Sequence, residues 1–276
     1  MKGYVQGVLV LGLGLLLASS AWAFTGSYSP GAGINGTVHD LSATNQGAHG
    51  MVYTANPADS LNRICIFCHA PHNTYRLSAA NGGPAAGVGG GPQATDPFTY
   101  LPLWNHSLQG NTAYTMYDNG PGAPQSGAKA SQAILTGMTP GSTSLLCLSC
   151  HDGSVAVNSY GNTAQKASSQ SGGGSVMTPA YQIGKDQYLG NHHPIGFNYD
   201  SVAAGDTEIR AADTAQLTPT TFVRDHLLGA GNQQMECGTC HAVHNKGNSG
   251  ETLLWRSDQN SELCLTCHDK GLYTAP

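Results

Sequence analysis

One five-residue pattern, Cys-x-x-Cys-His, occurs four times in the sequence and uses all eight of its cysteines. Two cysteines three positions apart lie on one side of a helical turn, so both sulfurs can bond the vinyl groups of one porphyrin. The histidine that follows then lies under the iron. The pattern therefore predicts four covalently attached c-type haem groups. Their thioether residues would be Cys65, Cys68, Cys147, Cys150, Cys237, Cys240, Cys264 and Cys267, and their proximal iron ligands His69, His151, His241 and His268.

Other uses of paired cysteines fit the pattern less well. Paired C-x-x-C elements can hold tetrahedral zinc, and a single C-x-x-C can form a redox dithiol or a disulfide. Neither use requires histidine directly after the second cysteine, whereas all four copies have one. Haem attachment is therefore the favoured interpretation.

The first 23 residues have the pattern of a signal peptide. Lys2 is followed by an apolar run from Val8 to Ala18 and by the small-x-small sequence Ala21-Trp22-Ala23. We expect cleavage there and export of residues 24–276, with an uncleaved anchor as the alternative. No later stretch approaches the roughly 20 apolar residues of a membrane span, so we expect no transmembrane segment in the mature chain. Export agrees with thioether attachment, which occurs outside the cytoplasmic membrane.

The charge pattern excludes one class of partner. The chain has 11 basic and 16 acidic residues, and only 10% of its residues are charged. Nucleic-acid binding needs clustered Lys and Arg, which this sequence lacks, so we expect no nucleic acid partner. Low surface charge favours association between copies.

An internal repeat divides the chain into two halves. The stretch from Cys65 to Asn73 matches that from Cys237 to Asn245, Leu103-Trp104 matches Leu254-Trp255, and Leu146 to Asp152 matches Leu263 to Asp269. One haem pair would lie within 39–160 and the other within 190–276. We predict a single unit of mostly irregular structure with short α-helices around the haems, which would themselves form the core. Ser142-Thr143-Ser144 predicts an N-cap for the helix of the second motif.

Eight histidines remain as possible distal ligands. His72 and His244 lie three residues after a proximal histidine, too close to reach the opposite face of the same ring, so each should reach a neighbouring haem. The predicted distal ligands are His72, His244, His193, His106 and His39, with His49, His192 and His226 ranked lower. Five candidates compete for four places, so one is surplus or binds iron in another subunit. Methionine ligation is the alternative, through Met51, Met116, Met138, Met177 or Met235.

These motifs resemble the doubled-C-x-x-C-H family of exported multihaem cytochromes. The resemblance rests on the four attachment motifs and on Cys68 to Asn73, Trp104 to His106, Cys150 to Gly153 and His193 to Phe197. Within that family, a loop-rich, charge-poor tetrahaem chain is similar to the subunits of extracellular cytochrome filaments. That resemblance implies closely stacked haems, all with two histidine ligands, and a histidine of one subunit binding iron in the next. His72 would be the first candidate for this bridging ligand and His39 the second.

The expected function is electron transfer without substrate chemistry, because iron bound by two histidines has no free position. We expect a homopolymer with haem contacts between subunits, exported to the cell surface or beyond, that exchanges electrons with donor and acceptor proteins or extracellular minerals. A tetrahaem shuttle in the periplasm or at the outer membrane is the alternative. A multihaem reductase is the less favoured one, because every motif ends in histidine and Lys and Arg are scarce.

Overall fold

The structure is a computed structural model that describes residues 29–42, 45, 59, 61–69, 103–104, 106, 113–117, 138–160 and 175–269. The predicted signal peptide, His49, Met51 and His72 lie outside these residues. Within them, no helix is both long and apolar enough to cross a membrane.

Regular secondary structure is sparse in the part of the chain that is described. Its α-helices are α1 (Ser142–His151), α2 (Tyr199–Gly205), α3 (Cys237–Cys240) and α4 (Glu262–Cys267), and its strands are β1 (Phe197–Asn198), β2 (Gln216–Thr218), β3 (Thr221–Phe222) and β4 (Gln234–Met235). Strand β1 pairs antiparallel with β4, and β2 pairs antiparallel with β3. Short 3-10 turns occupy Cys65–Phe67, Pro179–Tyr181, Lys185–Gln187, Val223–His226, Ala230–Asn232 and Gln259–Ser261. This low content agrees with the predicted irregular fold.

Helical turns form at all four attachment motifs. The first lies on the 3-10 turn Cys65–Phe67, the second ends α1, and the third and fourth lie on α3 and α4. In three of them the backbone N–H of the histidine donates to the carbonyl of the first cysteine, over 2.7 Å at His69, 3.0 Å at His241 and 2.9 Å at His268. The predicted local geometry of the motif is therefore present.

Helix α1 begins differently from the prediction. Its N-cap is Gly141, and Ser142 is already its first residue, so the predicted serine cap is wrong. The carboxylate of Glu236, far along the chain, accepts from the N–H of Gly141 over 2.9 Å and from the hydroxyl of Ser144. A carboxylate is favourable at a helix N-terminus because the free N–H groups there carry partial positive charge. A tertiary contact thus replaces the local cap.

In the described part of the chain, two hydrophobic clusters make up the core. The larger one packs α1, α2 and the strands together, and it consists of Met116, Met138, Leu145, Leu148, Leu189, Phe197, Tyr199, Val202, Ala212, Ala215, Leu217, Val223, Leu227 and Met235. The smaller one joins the first two motifs, and it consists of Leu41, Phe67, Val157, Tyr160 and Met177. In the smaller cluster the rings of Phe67 and Tyr160 meet edge to face at 4.9 Å.

Each half of the chain has the same kind of backbone contact after its first motif. His69 forms an antiparallel bridge with Trp104, and His241 forms one with Leu254. The residue before each bridge partner has left-handed backbone, with φ of 58° at Leu103 and 62° at Leu253. The structure therefore aligns Trp104 with Leu254, one residue away from the match that the Leu-Trp pairs predict. The prediction aligned identical residues, and it therefore differs from the observed register by one position.

Candidate haem sites

Among the described residues, three of the four predicted proximal histidines each face a second imidazole. The ring centroids of His69 and His244 are 6.1 Å apart, those of His151 and His39 are 6.1 Å apart, and those of His268 and His193 are 6.3 Å apart. Each pair joins a proximal histidine to one of the predicted distal candidates. Sequence separation within the pairs is large, so the tertiary fold brings them together.

The spacing of these pairs fits one metal ion between two imidazoles. An imidazole nitrogen lies about 2.0 to 2.1 Å from a bound transition metal ion. Because that nitrogen is about 1.1 Å from its own ring centre, two imidazoles on opposite sides of one ion have centroids about 6.2 Å apart. The observed values agree with this distance. The residues present therefore fit a haem iron with two histidine ligands.

The first motif is held by the aromatic side chain that bridges to it. The indole of Trp104 contacts the ring of His69 edge to face at 6.0 Å. His244, the partner of His69, lies three residues after His241 in the other half. The first motif thus takes its facing imidazole from the loop after the third motif.

The second motif is the most enclosed of the four. Burial, with His39 and His241 nearby, lowers the pKa of His151 to about 4. The imidazole is therefore neutral at physiological pH, which is the form that coordinates a metal. Its facing residue, His39, lies in the N-terminal segment.

The third motif lies beside the second. The side chains of Cys147 and Cys237 are close neighbours. The hydroxyl of Ser144 accepts from the N–H of Cys237 over 3.1 Å, which joins the first turns of α1 and α3. Partial burial lowers the pKa of His241. Among the described residues, however, no imidazole ring contacts His241.

The fourth motif receives its imidazole from the loop before β1. His193 lies on the exposed surface, and its Nδ1 is 2.9 Å from the carbonyl of Pro194. His268 forms an antiparallel bridge with Ile209, and the following Asp269 forms an ion pair with Arg210. The fourth pair is therefore more open to solvent than the second.

His106 is brought to the second motif without facing a proximal histidine in the described structure. It is fully buried, its Nε2 is 3.0 Å from the carbonyl of Ala156, and its Nδ1 is 3.4 Å from the hydroxyl of Ser149. Both ring nitrogens are thus engaged by protein. The ring lies edge to face with Trp104 at 6.3 Å. Its place is a packing position behind Cys150, whose sulfur lies 3.4 Å from Nε2.

The lower-ranked histidines and the methionines considered as ligands have different surroundings. His226 lies against Trp255 with ring centroids 4.3 Å apart and hydrogen-bonds Thr221, and His192 accepts from the N–H of Gly184. Four of the five methionines considered as ligands are buried in the two hydrophobic clusters: Met116, Met138, Met177 and Met235. These methionines serve as core residues in the structure.

The eight cysteines form no disulfide in the structure. Burial raises the pKa of Cys150 and of Cys240 to about 12, whereas zinc ligation and thiol exchange both need the thiolate. In the described part of the chain, no three His, Cys, Asp or Glu side chains converge as a metal-binding group.

Sequence reasoning missed the residues that hold the histidines in place. Glu236 joins α1 to α3, and Asn245 binds the segment that carries His39. A signal for Asn245 was present, because asparagine follows His72 and His244 at the same place in both copies of the repeat. No local pattern marks Glu236.

Comparison with protein families gives one match. Residues 230–272, which contain the third and fourth motifs, match the family model for the doubled CXXCH motif. A comparison with curated proteins finds no similar sequence. The match supports a relation to the multihaem c-type cytochromes, and with it covalent haem binding and electron transfer in general.

Proposed function

We propose that the chain carries electrons through four haem c groups, each with its iron between two histidine imidazoles. The carrying observation is the spacing of the three imidazole pairs, which suits one metal ion in each. Bound haem supplies one-electron exchange at the iron. The haem macrocycles would enlarge the core, because the two hydrophobic clusters of the protein are small.

The pairs assign three of the distal ligands. His244 would serve the haem of His69, His39 that of His151, and His193 that of His268. His72 would serve the haem of His241, because His244, its counterpart in the repeat, faces the first motif of the other half. His72 itself lies outside the described residues, and its assignment rests on this repeat.

Two histidines on each iron leave no position for a substrate, so we propose no catalytic activity. Charge supports this choice over a reductase. The arginines of the described structure all pair with carboxylates: Arg63 with Asp59, Arg210 with Asp269, Arg224 with Asp200 and Asp213, and Arg256 with Glu262. A pocket for an oxyanion needs several basic side chains that are available to the anion, and the described residues add only Lys185 and Lys246 to these arginines.

We further propose that the exported chain polymerises into an extracellular filament that delivers electrons to external acceptors. The signal-like N-terminus, the low charge and the similarity of the motifs to filament cytochromes support this assembly. In this assembly the haem of His241 would take its sixth ligand from outside its own chain. His72 of a neighbouring subunit would fill that place and join the subunits.

Spectroscopy of variants tests the ligation. We expect the ferric wild-type protein to be entirely low-spin. His39→Ala, His193→Ala and His244→Ala should each convert one of the four haems to a high-spin form that binds added imidazole. His106→Asn is the matched control, because asparagine keeps a donor and an acceptor beside Ala156 and Ser149, and it should leave all four haems low-spin.

Two results would contradict the ligation proposal. A high-spin fraction in the wild type would mean an open iron and would favour a reductase. Unchanged spectra in all three alanine variants would mean that other residues supply the sixth ligands.

Electron microscopy of the haem-loaded protein from its native cells tests the assembly. Filaments with a short repeat are the expected result. Discrete particles of about one subunit would overturn the filament and would favour a shuttle in the periplasm or at the outer membrane.

A further inference from the structure

The N-terminal segment that carries His39 is docked on the loop after the third motif. Gly33 N–H donates to the carbonyl of Asn245 over 2.7 Å. The side-chain amide of Asn245 donates to the carbonyls of Ser29 and Gly33 over 3.0 and 2.9 Å. Gly31 N–H donates to Oδ1 of Asn248 over 3.1 Å. These four bonds join residues more than 200 positions apart in the chain.

Asn245 is suited to this contact in both its side chain and its backbone. The residue is 1% exposed, and its Oδ1 accepts from Asn248 Nδ2 over 2.9 Å and from Leu253 N–H over 3.2 Å. Both ends of the amide are therefore engaged and its orientation is set. Its φ is 47°, in the left-handed region that asparagine and glycine tolerate.

A hydrogen-bonded turn connects the docked segment to His39. The carboxylate of Asp40 accepts from Gly36 N–H over 2.7 Å and from Ser42 N–H over 3.1 Å. The hydroxyl of Thr37 accepts from His39 N–H over 3.2 Å. Because these bonds fix the turn internally, a shift of residues 29–33 should move His39 with the turn.

We propose that Asn245 is a positioning residue for the second motif and that it holds His39 at the distance from His151 that iron ligation requires. The inference rests on the proposed ligation by two histidines. It also links three motifs, since Asn245 directly follows His244, the residue that faces His69. Loss of the amide should release His39 and leave His244 in place.

Asn245→Gly tests this, because glycine accepts the left-handed backbone and removes only the side chain. We expect the reduced, haem-loaded variant to bind carbon monoxide at one of its four haems, as His39→Ala should, whereas the wild type binds none. Asn232→Gly is the matched control, because Asn232 is exposed and its φ is 51°. The haems of this variant should bind no carbon monoxide. An Asn245→Gly protein with all four haems closed to carbon monoxide would overturn the inference.

A double variant identifies the haem that opens. If Asn245 acts through His39, His39→Ala with Asn245→Gly should bind carbon monoxide at one haem, the same number as His39→Ala alone. Two open haems would mean that Asn245 acts through His244, and the inference would fail. If His39→Ala opens no haem, the proposed ligation of His151 fails and this inference fails with it; if only Asn245→Gly is without effect, the ligation stands.

Asn248→Ala keeps the test decisive if Asn245→Gly does not accumulate. This change removes the contact with Gly31 and the bond to Asn245 Oδ1, while the Asn245 donors to Ser29 and Gly33 remain. We expect partial opening of the same haem. Complete closure of all four haems in Asn248→Ala would then count against the docked segment as the support of His39.

Discussion

The first and third motifs occupy the same place in the two halves of the chain, but their histidines have different surroundings. His69 faces His244, whereas no imidazole within the described ranges contacts His241. The equivalent of His244 in the first half is His72. The comparison shows that a repeated motif can take its facing imidazole from the other half of the chain.

The second and fourth motifs show the same dependence. His39 reaches His151 from the N-terminal segment, and His193 reaches His268 from the loop before β1. Neither partner belongs to the repeated stretches around the motifs. Ligands that come from distant segments are a physical reason to expect a single unit rather than two separate haem-pair domains.

Among these variants, His72→Ala should have the largest effect, and it tests the difference between the surroundings of His69 and His241. We expect one haem of four to become high-spin and filaments to be lost, because the proposed bridging ligand is missing. Optical spectra and electron microscopy of the same preparation measure both. Intact filaments with one high-spin haem would place His72 within its own chain, and an unchanged spectrum would remove it as a ligand.

Methionine variants test whether each paired motif has its own distal histidine. His39→Met and His193→Met should each move one of the four redox steps upward, because methionine ligation raises the potential of haem iron. A potentiometric titration followed by absorbance measures the steps. His106→Met should move none, and a shift of more than one step in either variant would contradict the assignment of one histidine to one haem.

Asp59→Asn should weaken the half of the molecule that holds the first motif. Asp59 is fully buried and binds Arg63 at 2.7 Å and the hydroxyl of Tyr160 at 3.0 Å. Because Arg63 is about one third exposed, we expect a loss in unfolding free energy on the order of 2 kcal/mol, below that of a fully buried pair. Asp213→Asn is the control, since its exposed ion pair with Arg224 should contribute little to the unfolding free energy.

The pH dependence of the Asp59 contribution has a definite sign. Burial raises the pKa of Asp59, but hydrogen bonds from Arg63 and Tyr160 outweigh it and leave the pKa below its ordinary value. A lowered pKa in the folded state gives stability that is present at neutral pH and lost as the pH falls through that pKa. Thermal unfolding in acid should therefore affect the wild type more than Asp59→Asn, and equal sensitivity would contradict this role.

Glu236→Gln should have the smallest effect on stability of these variants. It changes the contact between the second and third motifs. Burial raises the pKa of Glu236 against the opposing hydrogen bonds from Ser144 and Gly141. A carboxyl with a raised folded-state pKa costs stability as the pH rises through that pKa. The melting temperature of the wild type should therefore fall relative to Glu236→Gln as the pH rises above the ordinary pKa of a glutamate.

The helical turns at the four motifs could be predicted from the sequence, because they are local. Cysteine, cysteine and histidine within five residues need only one helical turn, and all four motifs form one. The sequence also singled out His39, His193 and His244, each of which faces a histidine of one of the motifs. Their roles as iron ligands stay predictions. The placement of His106 could not be predicted, because its bonds to Ala156 and Ser149 depend on the fold.

What the sequence by itself determined is the position of the four Cys-x-x-Cys-His turns and how irregular the chain must be. Only the tertiary structure decided which imidazole faces which. It set His244 against His69 across the two halves, put Glu236 in place of a serine cap, and bound the His39 segment to Asn245. The reason is physical: thioether chemistry is set by residues a few positions apart, whereas the partner of an iron is chosen by contacts between segments that only folding brings together.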